Sequence, residues 1–585
     1  ERPVTGRPVI YGKKGVISSG HYLTSMAGMQ ILLQGGNAFD ALAASIFAAA
    51  VIEPTASYSL GAECTYTLFD SASGDLLALS GQGPSPFGAT IDYYRSKQLD
   101  SIPTGPGLDA PIAFTVPGVV GATFSMLEKY GTRKVEDVLL SAIEYALDGV
   151  PNYEYMLNRI KSEETLQQFK NFPPGGIEIF YDQGQVPEAG TLLIQTALGN
   201  TLNKMVSAAK FSGTDRLTEI AAARQCFYKG EIADAIIAGV RSVGGLMDEN
   251  DLSEYQEEYS TPASVDYRGY SIHSQSTWTQ GPVCLQALNI LENFDLRSLG
   301  YNSPEYIHIV TEALKLVFAD REAFYGDPNF SSIPIDGLLS KEYAAQRAKR
   351  INPETACPGL PPFGDPWSYS KLEGYVSKQP GFVDDIEADL QYEAGTTHIS
   401  VVDQFGNFAC ATPSGGAFNK SVFFPQLGFA LSTRSEMFNL VPGHPNCLEP
   451  GKRPRTTIIN FMVSDNGAPI MTVGCPGGDA QAQANLQLLL NTILWGMNVQ
   501  EAVEAPRFST LSVPNSFYPH TYLQGQLALE HEIAEATASE LARMGHKIVR
   551  VATCGMGGTV TRKNVGSSVL ETSADPRRSC YALSW

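Results

Sequence analysis

No two of the nine cysteines form a C-x-x-C pair; they fall at 64, 226, 284, 357, 410, 447, 475, 554 and 580. An odd, dispersed set excludes a zinc knuckle, argues against a disulfide framework and reads as buried thiols. The eight histidines give no H-E-x-x-H, and the nearest string, His531-Glu532, lacks the second histidine. Neither a metal nor another cofactor is expected. Charge is scarce, at 17%, and one-sided: 41 Lys plus Arg against 61 Asp plus Glu leave a net charge of −20. Such a surface repels phosphate backbones and anionic lipid, which sets aside nucleic-acid and membrane partners. Long apolar runs are also missing. The best, ALAASIFAAAVI at 41–52, is too short to cross a bilayer. The opening ERPVTGRPVIYGKKG has no apolar core of the kind a signal peptide carries. A soluble protein is expected, its compartment open.

What is present is a large apolar chain. With 585 residues and 43% hydrophobic content it buries a core without staples, as about four domains or one large fold. No internal repeat of solenoid or propeller type is visible. Helical periods cover 23–33 and, capped by Asn37, 37–51. Residues 64–69 and 75–79 alternate like a strand pair. Helices then dominate to about 250, clearest at 135–147 and 214–241, and another spans 304–325. Residues 352–392, rich in Pro and Gly at their start, read as a mobile surface segment. From Thr396 the texture changes to strand, turn at 404–407, strand; further strands at 457–463 and 469–473 precede a helix at 481–496. Strand runs segregated from helix runs indicate an α+β fold.

Three constellations and one arginine can carry chemistry. Gly395-Thr396-Thr397-His398 joins the loose segment to a buried-type strand. A threonine hydroxyl needs a base within reach, and a chain cut before Thr396 would supply its own α-amine, with a pKa near ~7.7. The same hydroxyl can attack the carbonyl of Gly395, which no Cβ shields. The tetrapeptide also reads as ordinary strand threonines. Gly477-Gly478-Asp479 follows a strand and opens a helix, so two N–H groups can face an oxyanion. A tight strand-to-helix turn is the plainer alternative. Lys452–Thr457, KRPRTT, either presents Thr456 and Thr457 to a substrate carboxylate or is a solvated basic turn. Arg434 is either a substrate anchor or half of a structural ion pair.

In order along the chain stand GGNAFDA (35–41), EALKLVFADREAFYGDP (312–328), TTHISVVDQFGN (396–407), GKRPRTT (451–457), Gly477-Gly478, VQEAVEAPRF (499–508) and ADPR (574–577). Together they resemble the γ-glutamyltransferase family of N-terminal-nucleophile hydrolases, over nearly the whole chain. The resemblance implies a four-layer αββα sandwich. It implies a precursor cut between Gly395 and Thr396 into a large portion, 1–395, and a small one, 396–585, held as an αβ pair. Thr396 matches the family nucleophile and Ser414 the hydroxyl that hydrogen-bonds it. Gly477 and Gly478 match the oxyanion pair, and Thr456 with Thr457 the substrate-contacting hydroxyls.

This chain departs from the family pattern at three positions. Gln82 stands where an arginine holds the γ-glutamyl carboxylate, Met437, beside Glu436, where an acid holds the α-amine, and Gly416 where an asparagine supports the site. Losing these charge-assisted bonds points toward the acylase or amidohydrolase branch and away from glutathione. The resulting expectation is a self-cleaving threonine amidohydrolase acting, through an acyl-enzyme, on a small, carboxylate-bearing amide bound by Arg434, Thr456 and Thr457. A true γ-glutamyltransferase with a rearranged recognition site is one alternative. An unprocessed homologue that binds without turnover is the other.

Overall fold

A computed structural model describes residues 5–374 except Pro106 and Thr214, 378–379, 383–384, and 395–585 except Gly416, Ala417, Asn419 and Val565. Helix α1 (Tyr22–Leu33) ends on the turn at Gly35, whose φ is +83°. Helix α2 (Ala38–Ile52) begins with the expected cap: the Asn37 side chain accepts from the N–H of Asp40, whose carboxylate accepts in return from Asn37. Every residue of α2 is buried, as its unbroken apolar surface requires.

Two seven-stranded sheets form the centre. In the first, β1 (Ile399–Asp403) lies between the strands Gly15–Ser19 and β2 (Phe408–Ser414), all antiparallel. On its other edge β2 pairs with Glu63–Phe69, and that strand with Leu76–Gly81. The second sheet holds β3 (Phe461–Asp465) and β4 (Ala468–Gly474), also antiparallel. Alternation along the strands assigns their faces. Ile399 and Val401 of β1 join the core that contains α1 and α2. Val402 packs instead with Phe408 and Met462 in a smaller cluster spanning both sheets. Phe461, Val463, Met471 and Val473 join a separate helical core around Gly281–Leu291, Pro304–Phe324 and α3 (Ala480–Leu489).

The seam between the sheets is strongly polar. Thr67 donates to Asn460 at 2.6 Å, Thr412 to the Ile459 carbonyl at 2.9 Å and Thr472 to Ser400 at 3.1 Å. Buried hydroxyls are tolerated here because each finds a partner.

Four local readings differ from the sequence expectation. The period at 214–241 is two helices, Arg216–Lys229 and Glu231–Ser242, because Gly230 closes one and caps the next. The strand expected at 457–463 starts only at Phe461. The preceding N–H groups go to side chains instead, Ile459 to Gln481 and Asn460 to Gln275, each at 3.2 Å. The helix expected at 481–496 is α-helical to Leu489 and then widens into a π turn, Leu490–Leu494. Finally, the described part of 352–392 is tied down: the Cys357 N–H donates to Glu312 at 3.0 Å and the Gly364 N–H to Asp320 at 2.9 Å. Most of 375–392 lies outside the described residues.

Candidate active site

Thr396 sits three residues before β1 and is 3% exposed. Its N–H donates to the Ala56 carbonyl, just beyond the end of α2, and the next N–H, of Thr397, donates to Pro413 O at 3.1 Å. These ties hold Thr396 at φ +78°. A β-branched side chain avoids that region, at a cost of about 1–3 kcal/mol. Gly395 is required by space, since a Cβ there would lie 2.7 Å from Ser57 Oγ.

The Thr396 hydroxyl donates to Ser414 Oγ at 2.9 Å, at the end of β2. Arg434 Nη2 donates to the same oxygen at 2.7 Å. Arg434 Nε lies 3.0 Å from Glu63 Oε1, which also accepts from Thr456 Oγ1 at 2.7 Å. All of these side chains are buried. Burial pushes the Glu63 carboxyl above its usual range, against the pull of the Arg434 guanidinium and the Thr456 hydroxyl. The Arg434 guanidinium and the Lys420 ammonium each stand 5.1 Å from the Phe517 ring.

β4 leads to the glycine pair and α3 leaves it. Gly477 and Gly478 have φ +133° and +53°. Among the described residues neither of their N–H groups has a partner, while their carbonyls accept from Ala480 and Gln481 of α3. Gln280 ties this turn to the threonine pair: its Nε2 donates to Gly478 O at 3.0 Å and Thr457 O at 2.8 Å. Asp479 fixes the turn through Arg321 and the Ser516 N–H. Its burial is outweighed by the Arg321 guanidinium and the Ser516 bonds, which hold the carboxyl below the usual range. A Cβ on Gly478 would stand 3.1 Å from the Phe517 ring, so Phe517 links the Arg434 end of the site to the glycine end.

The structure thus connects Thr396, Ser414, Arg434, Thr456, Thr457, Gly477 and Gly478, but the two threonines of the pair differ. Thr456 is engaged by Glu63, whereas Thr457 Oγ1 is buried without a partner among the described residues. For Arg434 the ion-pair alternative is realised, with Glu63. The basic turn is not solvated: Lys452 pairs with Glu449 at 2.9 Å, Arg453 with Glu258 at 2.9 Å and Arg455 with Glu322 at 3.0 Å. Gln82 donates to the Pro454 carbonyl, and its own Oε1 has no partner among the described residues. Met437 Sδ lies 3.8 Å from Arg434 Nη1, and Glu436 accepts from the Tyr518 N–H at 3.1 Å. Gly416 lies outside the described residues.

Glu63 and Phe517 had no sequence signal, and two further residues escape a reading by motif. Arg578 Nη1 donates to the Thr396 carbonyl at 2.5 Å and Nη2 to Glu53 Oε2 at 3.2 Å. The ADPR string ends one residue short of Arg578, and Glu53 shows only as the residue before a helix-stopping proline. Away from this site, His308, Glu312 and His546 cluster with metal-ligand spacing. Most of their polar atoms are engaged: His308 contacts His546 Nε2 at 2.9 Å and Asn352 O at 2.8 Å, and Glu312 accepts from Lys315 at 2.7 Å, while His546 Nδ1 has no partner among the described residues. No helix among the described residues is long and apolar enough to cross a membrane.

The family model for gamma-glutamyltranspeptidase matches residues 24–585. The chain is 31% identical over 572 residues to the glutathione hydrolase-like YwrD proenzyme of Bacillus subtilis, covering 97% of this chain and 98% of that one. It is 32% identical over 547 residues to the acylase ACY 1 proenzyme of a Pseudomonas species, with 92% and 88% covered. Among solved structures, cephalosporin acylase from Bacillus halodurans superposes with a TM-score of 0.84 at 28% identity, over 100% of this chain and 98% of that one.

Proposed function

Because this chain belongs to the gamma-glutamyltranspeptidase family, we propose that it is an amide hydrolase that cuts itself between Gly395 and Thr396 and uses the Thr396 hydroxyl as its nucleophile. One observation carries this reading: the buried 2.9 Å bond between Thr396 and Ser414, made at a left-handed threonine that follows a glycine demanded by space.

In the maturation step the Thr396 oxygen attacks the Gly395 carbonyl carbon. The C–N bond to Thr396 breaks, and the proton shed by the hydroxyl passes to that nitrogen, leaving an ester. Water then hydrolyses the ester, which yields the Gly395 carboxylate and frees both the hydroxyl and the α-amine of Thr396. The amine, with an ordinary pKa near ~7.7, serves as base when the hydroxyl attacks a substrate amide. The Gly477 and Gly478 N–H groups receive the oxyanion. The proton passes to the leaving amine, and water releases the acyl group from Thr396. Residues 1–395 and 396–585 would stay together as an αβ pair, in a helix–sheet–sheet–helix sandwich.

The substrate we favour is a small amide bearing a carboxylate. Thr457 offers it a hydroxyl. Arg434, its charge offset by Glu63, acts chiefly by orienting Ser414, and Thr456 supports Glu63. With Gln82 and Met437 where γ-glutamyl recognition needs an arginine and an acid, an acylase-type substrate is favoured over glutathione. The test is intact mass and N-terminal sequencing of the wild type and of Thr396→Ala, followed by trapping of the acyl-enzyme with candidate amides. A Thr396→Ala chain that still splits and turns over substrate sinks the assignment. Rapid release from a γ-glutamyl anilide, accelerated by a dipeptide, would favour the glutathione-hydrolase reading. An intact wild-type chain after long incubation would favour a binding homologue.

A further inference from the structure

We propose that Arg578 is a positioning residue for Thr396, holding the nucleophile's carbonyl so that the Gly395–Thr396 bond is cut and the freed amine faces the hydroxyl. This role rests on Thr396 being the nucleophile.

Among the described residues three contacts hold Thr396: its N–H on Ala56 O, its hydroxyl on Ser414, and its carbonyl under Arg578 Nη1. Only the third is made by a charged group. The arginine is itself mounted rigidly. Its second nitrogen donates to Glu53, its guanidinium stacks 4.6 Å from the Tyr155 ring, and both ion-pair side chains are 1% exposed. Glu53 is anchored in turn by the Thr24 hydroxyl at 2.8 Å. A planar fork that joins a carboxylate to a carbonyl fixes direction as well as distance, which an ammonium does not. The fork therefore helps keep Thr396 at φ +78°, an angle the residue would leave if released.

The charge has a second effect. A cation bonded to the carbonyl of Thr396 stands close to its nitrogen, and a neighbouring cation disfavours a protonated amine. Glu53, at the end of α2, offsets part of that charge. Among the described residues the other titratable groups facing this region are Tyr153 and Tyr155, His21, the Cys580 thiol, which burial pushes up and so keeps neutral, and the Arg434–Glu63 pair. Burial raises the Tyr153 phenol and lowers the His21 imidazole to about 3, so both are uncharged at neutral pH. Among the described residues Arg578 is thus the full positive charge bonded directly to the residue that becomes the base.

The test uses full-length Arg578→Gln, Arg578→Lys and Glu53→Gln beside Thr396→Ala. Two quantities are read: the rate at which the intact chain splits, by mass, and the pH profile of kcat/KM of the split enzyme. Arg578→Gln is expected to slow splitting on the order of a hundredfold, the scale of a small misplacement of a reacting group. It should also move the acid limb of kcat/KM to higher pH, with KM little changed. Arg578→Lys should keep the acid limb near its wild-type position but recover only part of the splitting rate. Glu53→Gln leaves the arginine in place without its mount and should slow splitting to a lesser degree; it and Arg578→Lys decide the matter if Arg578→Gln fails to fold. Wild-type splitting with an unmoved acid limb in the soluble variants would overturn the role of Arg578. Splitting and turnover in Thr396→Ala would instead overturn the nucleophile assignment, so the two failures are distinct.

Discussion

Ser414 Oγ receives two donors, the Thr396 hydroxyl at 2.9 Å and Arg434 Nη2 at 2.7 Å. An oxygen polarised by a guanidinium is a better hydrogen-bond donor in its turn, so Ser414 is suited to steady the proposed nucleophile, Thr396, as charge develops on it.

Ser414→Ala should therefore lower kcat more than it raises KM. A charge-assisted bond of about 1.5–3 kcal/mol corresponds to roughly ten- to a hundredfold in rate. Steady-state kinetics on the split enzyme check this, and an equal rise in KM with unchanged kcat would contradict it.

The two threonines should separate. Thr457→Val removes an unpartnered hydroxyl and should weaken substrate binding while leaving the melting temperature within about a degree or two of wild type, as an apolar replacement of an unpaired buried group costs little. Thr456→Val removes a bond to Glu63 and should lower stability by about 1 kcal/mol. Thermal melts and KM values for the pair decide whether the roles are divided in this way.

Gly478→Ala places a methyl at φ +53° and 3.1 Å from Phe517. The turn must shift, and the N–H proposed for the oxyanion shifts with it. A fall in kcat on the order of a hundredfold is expected, the scale for losing one such donor. Phe517→Leu in the same background relieves the contact, and recovery of part of the rate would identify the ring as the obstacle.

The buried histidines should cost stability in mild acid, against the opposite pull of buried carboxyls such as Glu63, which burial raises. His21, His398 and His546 are held at about 3 and His444 at about 4, mainly because burial disfavours the imidazolium. In the unfolded chain each takes a proton near pH 6.5. Protons thus bind the unfolded state preferentially, and stability is lost progressively as pH falls from about 6.5 toward the folded values. At pH 5 the loss is roughly 2 kcal/mol for each histidine. Denaturant titrations at pH 7 and pH 5 measure it. His398→Asn should flatten the slope if it folds, because it removes one titrating group.

The local parts of this molecule were legible in the sequence. The Asn37 cap, the β1–β2 hairpin and the strand-to-helix turn at Gly477-Gly478 all rest on neighbours within a few residues. The order of chemistry-bearing strings also fixed which hydroxyls to watch. What escaped was non-local. Arg578 lies 182 residues from Thr396, and its partner Glu53 is 525 residues from it along the chain. A buried ion pair leaves no period in either segment. For the same reason the stretch before Phe461 looked like strand: its β-forming residues give no hint that glutamine side chains will claim their N–H groups. The pairing of the basic run 452–455, for which a solvated turn was one of two alternatives, was equally hidden, because each cation's acid stands elsewhere in the fold or in the turn that precedes it.

The placement of β1 and β2 sets what a single cut could do. Both strands follow residue 395, yet their outer neighbours, Gly15–Ser19 and Glu63–Phe69, precede it. The last strand, Tyr581–Ser584, adds to Gly15–Ser19 from the opposite side. Breaking the bond before Thr396 would therefore leave two interlaced pieces, neither owning all the strands of either seven-stranded sheet. Released alone, the later piece would bare both edges of a largely apolar hairpin, an invitation to aggregate. If the proposed cut is made, the chain must finish folding first, and its halves could not then be exchanged without unfolding the sheet that joins them.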